Sequence, residues 1–65
     1  MIKVNAKEFS FVENENLYDL LERANFSPDF VAVEVDENLV KREDFKDYFL
    51  QDGAKVEVFS FVGGG

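Results

Sequence analysis

One segment of this chain has the periodicity of an α-helix, while most of the rest alternates between apolar and polar residues. The alternation is clearest at Ile2 and Val4 and again over Val31–Val35, and it is typical of strands with one buried face. Residues 16–25 follow the helical period instead. A chain with one principal helix among several strands is expected to pack that helix on one face of a sheet, which predicts an α+β domain of two layers.

The helical segment has apolar residues at positions i, i+3, i+4 and i+7, namely Leu17, Leu20, Leu21 and Ala24. Asn16 is expected to cap the first turn by accepting a hydrogen bond from a backbone N–H. Asn25 is suited to the left-handed conformation that ends a helix, and Pro28 prevents the helix from continuing. The pattern therefore predicts a helix that lies within residues 16–25.

Two strands are predicted before this helix, because Ile2 and Val4 alternate with polar residues, as do Phe9 and Phe11. If Val4 lies opposite Phe9 and Ile2 opposite Phe11, all four side chains fall on one face of the sheet. Residues 6–7 then form the loop. The sequence predicts this register for the first hairpin.

The second half of the chain is expected to contain a strand, a turn, a short strand, a short helix, another turn and a final strand. Their expected positions are 31–35, 36–38, 39–40, 42–50, 51–54 and 55–62. Gly53 supplies the permissive backbone angle of the second turn. We expect the first and last strands to lie side by side, parallel, in the middle of a mixed sheet.

The composition limits the classes of function. A chain of 65 residues has room for one domain, and its net charge of -7 disfavours binding to a nucleic acid backbone. The chain contains no Cys and no His, so a Ser/His/Asp catalytic arrangement and a Cys or His metal site are excluded. No stretch is apolar enough to cross a membrane and no signal peptide is apparent, which makes a cytoplasmic location the expectation.

The sequence ends with three glycines, residues 63–65, which follow the last predicted strand. Because glycine has no Cβ atom, such a run forms a thin, flexible ribbon that can enter a narrow active site of another protein. The carboxylate of Gly65 is then the most plausible reactive group of the chain. Small terminal residues without a function, or a cloning remnant, are the alternatives.

Phe59 and Phe61 share one parity of the last strand, whereas Val56 and Val58 share the other. If no bulge intervenes, both phenylalanines project from the face of the sheet away from the helix. They would then form an apolar patch for binding a partner, directly before the glycines. A bulge would instead return them to the core.

Over essentially its whole length the chain resembles the bacterial sulfur carrier protein of thiamine biosynthesis. The resemblance is carried by the element order, the stretch Val31–Val35, Arg42, the turn at residues 51–53, and the strand that runs to Gly64 and Gly65. It implies a ubiquitin-like β-grasp fold, with residues 1–62 as the domain and residues 63–65 as a flexible tail. The terminal pair of glycines is its most specific element.

The resemblance also implies a mechanism. An E1-like activating enzyme uses ATP and magnesium to adenylate the carboxylate of Gly65, and sulfur from a cysteine desulfurase system then displaces AMP to give a thiocarboxylate. Thiazole synthase takes up that sulfur. The chain itself is implied to be a protein co-substrate and not an enzyme, with no bound cofactor or metal. Gly63 and Gly64 form the tether, and Phe59 and Phe61 anchor the partner.

This chain departs from the family pattern in its loops, with Glu37 and Asn38 in one turn, Lys41 before Arg42, and Ala54 after Gly53. These departures concern the geometry of the loops and the partner specificity rather than the carrier chemistry, because none lies in the tail. Two alternatives stay open at this point. One is the sulfur carrier of molybdopterin synthesis, which is usually longer, and the other is a ubiquitin-like interaction module whose glycines are passive.

Overall fold

The structure is a computed structural model that describes residues 1–60. The sheet contains five strands, β1 to β5, and the principal helix is α1. In chain order the elements are β1 (Ile2–Val4), β2 (Lys7–Phe9), α1 (Leu17–Arg23), a first 3₁₀ helix (Pro28–Phe30), β3 (Val31–Val35), β4 (Asn38–Val40), a second 3₁₀ helix (Arg42–Asp47) and β5 (Lys55–Ser60). The predicted order of elements is confirmed, with the first 3₁₀ helix as an addition.

The strands lie in the order β2-β1-β5-β3-β4, so the first and last strands are neighbours in the middle of the sheet. β1 runs parallel to β5, with Lys3 opposite Lys55 and Val4 opposite Val56. The other three pairs of neighbouring strands are antiparallel. The predicted mixed sheet with a central parallel pair is confirmed.

The predicted register of the first hairpin is wrong. The structure pairs Ile2 with Phe9 and Val4 with Lys7, and β2 ends at Phe9, so Phe11 lies outside the strand. The chain reverses at Asn5 and Ala6, which both have positive φ, 50° and 71°. Two-residue turns of this handedness match the twist of antiparallel strands, which explains why the turn falls one position earlier than expected.

The predicted limits of the helix are confirmed. Oδ1 of Asn16 accepts a hydrogen bond from the backbone N–H of Asp19 at 2.7 Å, as expected for an N-cap. The last helical residue is Arg23, and Asn25 follows with a φ of 70°. Asn tolerates this left-handed conformation better than most residues, so the helix ends where the sequence predicted.

The core lies between α1 and one face of the sheet. It contains the valines of β3 and β5 that were predicted to point inward, and the three leucines of α1 have no exposed surface. Its buried apolar residues are Ile2, Val4, Leu17, Leu20, Leu21, Val31, Val33, Val35, Val40, Phe45, Leu50, Ala54, Val56 and Val58. Burial of one such leucine stabilises the folded state by roughly 1.5–3 kcal/mol. The chain contains no cysteine, so packing of this core stabilises the domain without a disulfide.

The second hairpin and the following helix differ slightly from the predicted positions. Asp36 and Glu37 form a two-residue turn with φ of 50° and 70°, so Asn38 belongs to β4 and not to the turn. The short helix predicted within residues 42–50 is the 3₁₀ helix Arg42–Asp47. Gly53 has a φ of 92°, as its predicted turn requires.

One ion pair connects the loop before α1 to the end of that helix. Arg23 donates from Nε and Nη2 to the two carboxylate oxygens of Glu15, at 3.0 and 2.9 Å. The side chain of Glu15 is 8% exposed and that of Arg23 is 31% exposed. Nη2 of Arg23 also donates to the backbone carbonyl of Ser10 at 2.8 Å. The pair therefore fixes the long connection between β2 and α1.

Candidate functional site

β5 lies at the centre of the sheet and leads into the segment that the sequence analysis singled out. On one side β5 pairs with β3 from Val56, which lies opposite Val35, to Ser60, which lies opposite Val31. On the other side β1 ends at Val4, and the side chain of Asn5 takes its place. Asn5 accepts from the backbone N–H of Val58 at 2.8 Å and donates to the carbonyl of Val58 at 3.2 Å. β5 is thus held from both sides almost to its last residue.

Asn5 was not identified as a site residue by the sequence analysis. Its signal in the sequence is an Asn directly after a short strand, because Asn both adopts positive φ and hydrogen-bonds to backbone groups. What the sequence could not show is that the partner of its side chain is Val58, 53 residues further on. Asn5 therefore positions the end of β5.

Phe59 lies on the face of the sheet opposite α1 and is 48% exposed. The pairing of β3 with β5 is continuous from Val56 to Ser60, with Ala32 opposite Phe59, so no bulge interrupts this stretch. The alternative in which a bulge returns Phe59 to the core is therefore wrong. A half-exposed phenylalanine in a rigid strand is available for binding to another protein.

Phe59 belongs to a larger surface that we call the outer face. It consists of the side chains of β3, β4 and β5 that alternate with the buried valines, namely Ala32, Glu34, Leu39, Lys55, Glu57 and Phe59. Leu39 is 68% exposed and lies opposite Glu34. The sequence predicts Leu39 only as part of a short strand, because the exposure of a strand residue depends on which face of the sheet the helix covers.

The other predicted site residues are Phe61, Gly63, Gly64 and Gly65, and they lie outside the described residues. Their roles stay predictions, as does the boundary between a domain of residues 1–62 and a tail of residues 63–65. The structure describes the chain as far as Ser60, which is the last residue of the central strand β5.

Among residues 1–60, no group of three or more acidic residues is arranged to hold a metal ion. Within the same range, no helix combines the length and apolar character needed to cross a membrane. The cytoplasmic location and the exclusion of nucleic acid stay predictions.

Comparison with known proteins links this geometry to a family. Two curated relatives, both named uncharacterized protein ycf40, come from Porphyra purpurea and Pyropia yezoensis. They are 31% and 34% identical to this chain over 64 residues, which cover 98% of this chain and 90% of each relative. The similarity therefore extends over nearly the whole of both proteins.

Solved structures of the thiamine biosynthesis protein ThiS from Geobacter metallireducens are also similar. Its crystal structure has a TM-score of 0.78 and 31% sequence identity, and the match covers 98% of this chain and 97% of that one. Its NMR solution structure gives the same TM-score and identity over 86% of that chain. The predicted β-grasp fold is confirmed. Because the ThiS family model matches residues 2–65, the chain belongs to the ThiS family.

Proposed function

We propose that this chain is the sulfur carrier of thiamine biosynthesis, with the carboxylate of Gly65 as the group that carries sulfur. The observation that supports this most strongly is the ThiS family match, which runs from residue 2 through residue 65 and so includes the glycines. The similarity to the Geobacter thiamine biosynthesis protein over 97% of its length adds support for the thiamine pathway over the molybdopterin pathway.

In this proposal the chain is a protein co-substrate of two enzymes. An activating enzyme joins the carboxylate of Gly65 to the α-phosphate of ATP, with magnesium, and releases pyrophosphate. A persulfide sulfur, originating from a cysteine desulfurase, displaces AMP to give an acyl disulfide, and a thiol reductant then cleaves its S–S bond, which leaves the thiocarboxylate and a new disulfide on the reductant side. Thiazole synthase then accepts the sulfur. Adenylation is needed because a free carboxylate is a poor acyl donor at neutral pH.

The domain supports this chemistry by what it binds and holds. Phe59 lies on a rigid central strand and offers an apolar anchor for the partner's surface. Asn5 keeps that strand fixed as far as Val58, so the position of the partner relative to Ser60 is defined. Gly63 and Gly64 serve as the narrow tether to Gly65, and Phe61 contributes to the anchor in the same proposal.

The test is a mass measurement on the intact chain after incubation with the activating enzyme of the same organism, ATP, magnesium, a persulfide donor and a thiol reductant. Replacement of one carboxylate oxygen by sulfur adds about 16 Da. A chain truncated after Gly63 is the matched control and should gain no mass. Absence of the gain in the full chain, with an activating enzyme shown to be active, would contradict the proposal.

A second arm separates thiamine biosynthesis from the molybdopterin alternative. The thiocarboxylated chain is mixed with thiazole synthase and its small-molecule substrates, and formation of the thiazole is followed by mass spectrometry. Loss of the added sulfur mass together with appearance of the thiazole is expected. Retention of the sulfur with thiazole synthase, and its release with molybdopterin synthase components, would assign the chain to the other pathway.

A further inference from the structure

Two carboxylates lie directly opposite each other on the outer face. Glu34 of β3 pairs with Glu57 of β5 in the antiparallel register. Side chains at directly opposed positions have Cβ atoms about 5 Å apart, and like charges in such a pair destabilise a sheet. As whole residues, both glutamates are partly exposed. The fold alone gives no reason for this arrangement.

The protein neutralises this charge only weakly. Nζ of Lys55 lies 3.7 Å from Oε2 of Glu57, and the two side chains are 56% and 41% exposed, so that ion pair contributes little. Glu34 forms no ion pair within the part of the chain that the structure describes. Lys55 and Lys3, opposite each other on β5 and β1, lie on the same face and offset part of this negative charge on the side of Glu57, so the carboxylate left without a nearby cation is that of Glu34.

Apolar side chains flank the two carboxylates. Glu34 has Leu39 opposite it on its other side, in β4. Two residues along β5 from Glu57, on the same face, lies Phe59, which is itself opposite Ala32. A charged pair beside apolar surface suits a side chain with an apolar stem and a cationic end, and such surroundings strengthen the attraction once a partner excludes water.

A second copy of this chain does not fit the outer face. Each copy has a net charge of -7, and a symmetric contact through this face would place four carboxylates together. An arginine of a different protein fits better than a lysine, because its planar guanidinium can donate to both carboxylates at once.

We propose that the outer face binds a partner surface on which one arginine, set among apolar residues, inserts between Glu34 and Glu57. Phe59 and Leu39 contact the apolar residues around that arginine. The inference rests on the proposed function in that the partner to be tested is the activating enzyme. It adds the identity of the charged contact, which the family resemblance does not specify.

The test compares the affinities of Glu34→Gln and Glu57→Gln chains for the purified activating enzyme of the same organism, measured by calorimetry at low and at physiological salt. Each of these two substitutions is expected to weaken binding about tenfold and to reduce the dependence of the affinity on salt. Glu22→Gln, on the exposed surface of α1, removes the same charge elsewhere and should change the affinity by less than about twofold.

Thermal unfolding of the same chains supplies the second readout. Because Glu34→Gln removes a repulsion, this variant is expected to be at least as stable as the original chain while it binds more weakly. Equal affinities for Glu34→Gln and Glu22→Gln, or a loss of stability in Glu34→Gln, would overturn the proposed arginine contact.

The two proposals fail in different ways. If Glu34→Gln binds normally and the original chain still gains about 16 Da, the carrier function stands and only the arginine contact is wrong. If the original chain binds the enzyme but gains no mass, the carrier function is wrong and the contact is judged on the affinities alone.

Discussion

The two faces of the sheet contrast sharply, although the same strands build both. On the inner face, Val56 and Val58 of β5 are packed against the rest of the core. On the outer face, Glu57 and Phe59 of the same strand are left partly or largely exposed. The inner face is apolar along β5, whereas the outer face combines charge with apolar surface. One set of alternating side chains of β5 therefore builds the core, and the other set lies on the outer face, where we propose that a partner binds.

The largest expected effect comes from making the same substitution on the two sides of the sheet. Leu20→Ala, in the helix that covers the inner face, should reduce the free energy of unfolding by about 3 kcal/mol, because it leaves a cavity. Leu39→Ala, on the outer face, should reduce it by less than about 0.5 kcal/mol. Urea denaturation followed by circular dichroism measures both values.

A small domain has a total stability of about 5 kcal/mol, so Leu20→Ala should leave the chain close to unfolding. If Leu39→Ala were comparably destabilising, the outer face would be part of the stabilising core. The contrast between the two faces would then be lost.

The next effect concerns binding through the outer face. Phe59→Asp should weaken binding to the activating enzyme by roughly 2 kcal/mol, or about thirtyfold in Kd, because it replaces an apolar anchor with a charge. Phe49, which is 54% exposed and lies outside the outer face, provides the control. Phe49→Asp should leave the affinity nearly unchanged.

The affinities are measured by calorimetry, and thermal unfolding of both variants shows whether the fold is retained. We expect Phe59→Asp to fold, since Phe59 is half exposed. Unfolding of this variant would mean that Phe59 contributes to the core. Equal affinities of the two variants for the enzyme would contradict the proposal that the outer face is the docking surface.

The smallest expected effect compares one ion pair on each side of the molecule. Glu15→Gln should reduce the free energy of unfolding by about 1–2 kcal/mol, because Arg23 loses a nearly buried carboxylate that accepts two of its hydrogen bonds. Lys55→Ala removes the long, exposed pair with Glu57 and should cost less than about 0.5 kcal/mol. Denaturation at low and high salt checks both, and comparable losses would contradict the difference in burial.

Much of the fold could be predicted from the sequence, because burial leaves a periodic signature. The helical period of α1, its cap at Asn16 and the alternation over Val31–Val35 each reflect a local requirement that one residue type meets. The exposure of Phe59 followed from the parity of β5 in the same way. Each of these features depends on residues that are close together in the sequence, so one sequence is enough to predict it.

The register of the first hairpin could not be predicted by the same means. The predicted pairing of Val4 with Phe9 and the observed pairing of Val4 with Lys7 place Ile2, Val4 and Phe9 on the same face. The hydrophobic pattern therefore fits both. The turn at Asn5 and Ala6 decides between them, and Lys7 is tolerated opposite Val4 because β2 lies at the edge of the sheet, where Lys7 is exposed.

The candidate site was predicted in part for a related reason. Pairs such as Glu34 with Glu57, and the bonds from Asn5 to Val58, join residues more than twenty positions apart. No local pattern records such partners, since they depend on the order of strands in the sheet. The sequence therefore indicated which residues are exposed, but not which of them are neighbours.

The central position of β5 also determines how the domain responds to a mechanical load. A partner that pulls on the chain beyond Ser60 applies tension along β5. The backbone of β5 is hydrogen-bonded to β3 on one side and to β1 and Asn5 on the other. Tension in that direction loads the hydrogen bonds on both sides of β5 in shear, whereas a strand at the edge of the sheet would have only one side to share the load. A load applied at this end of β5 is therefore resisted from both sides of the strand before the domain unfolds.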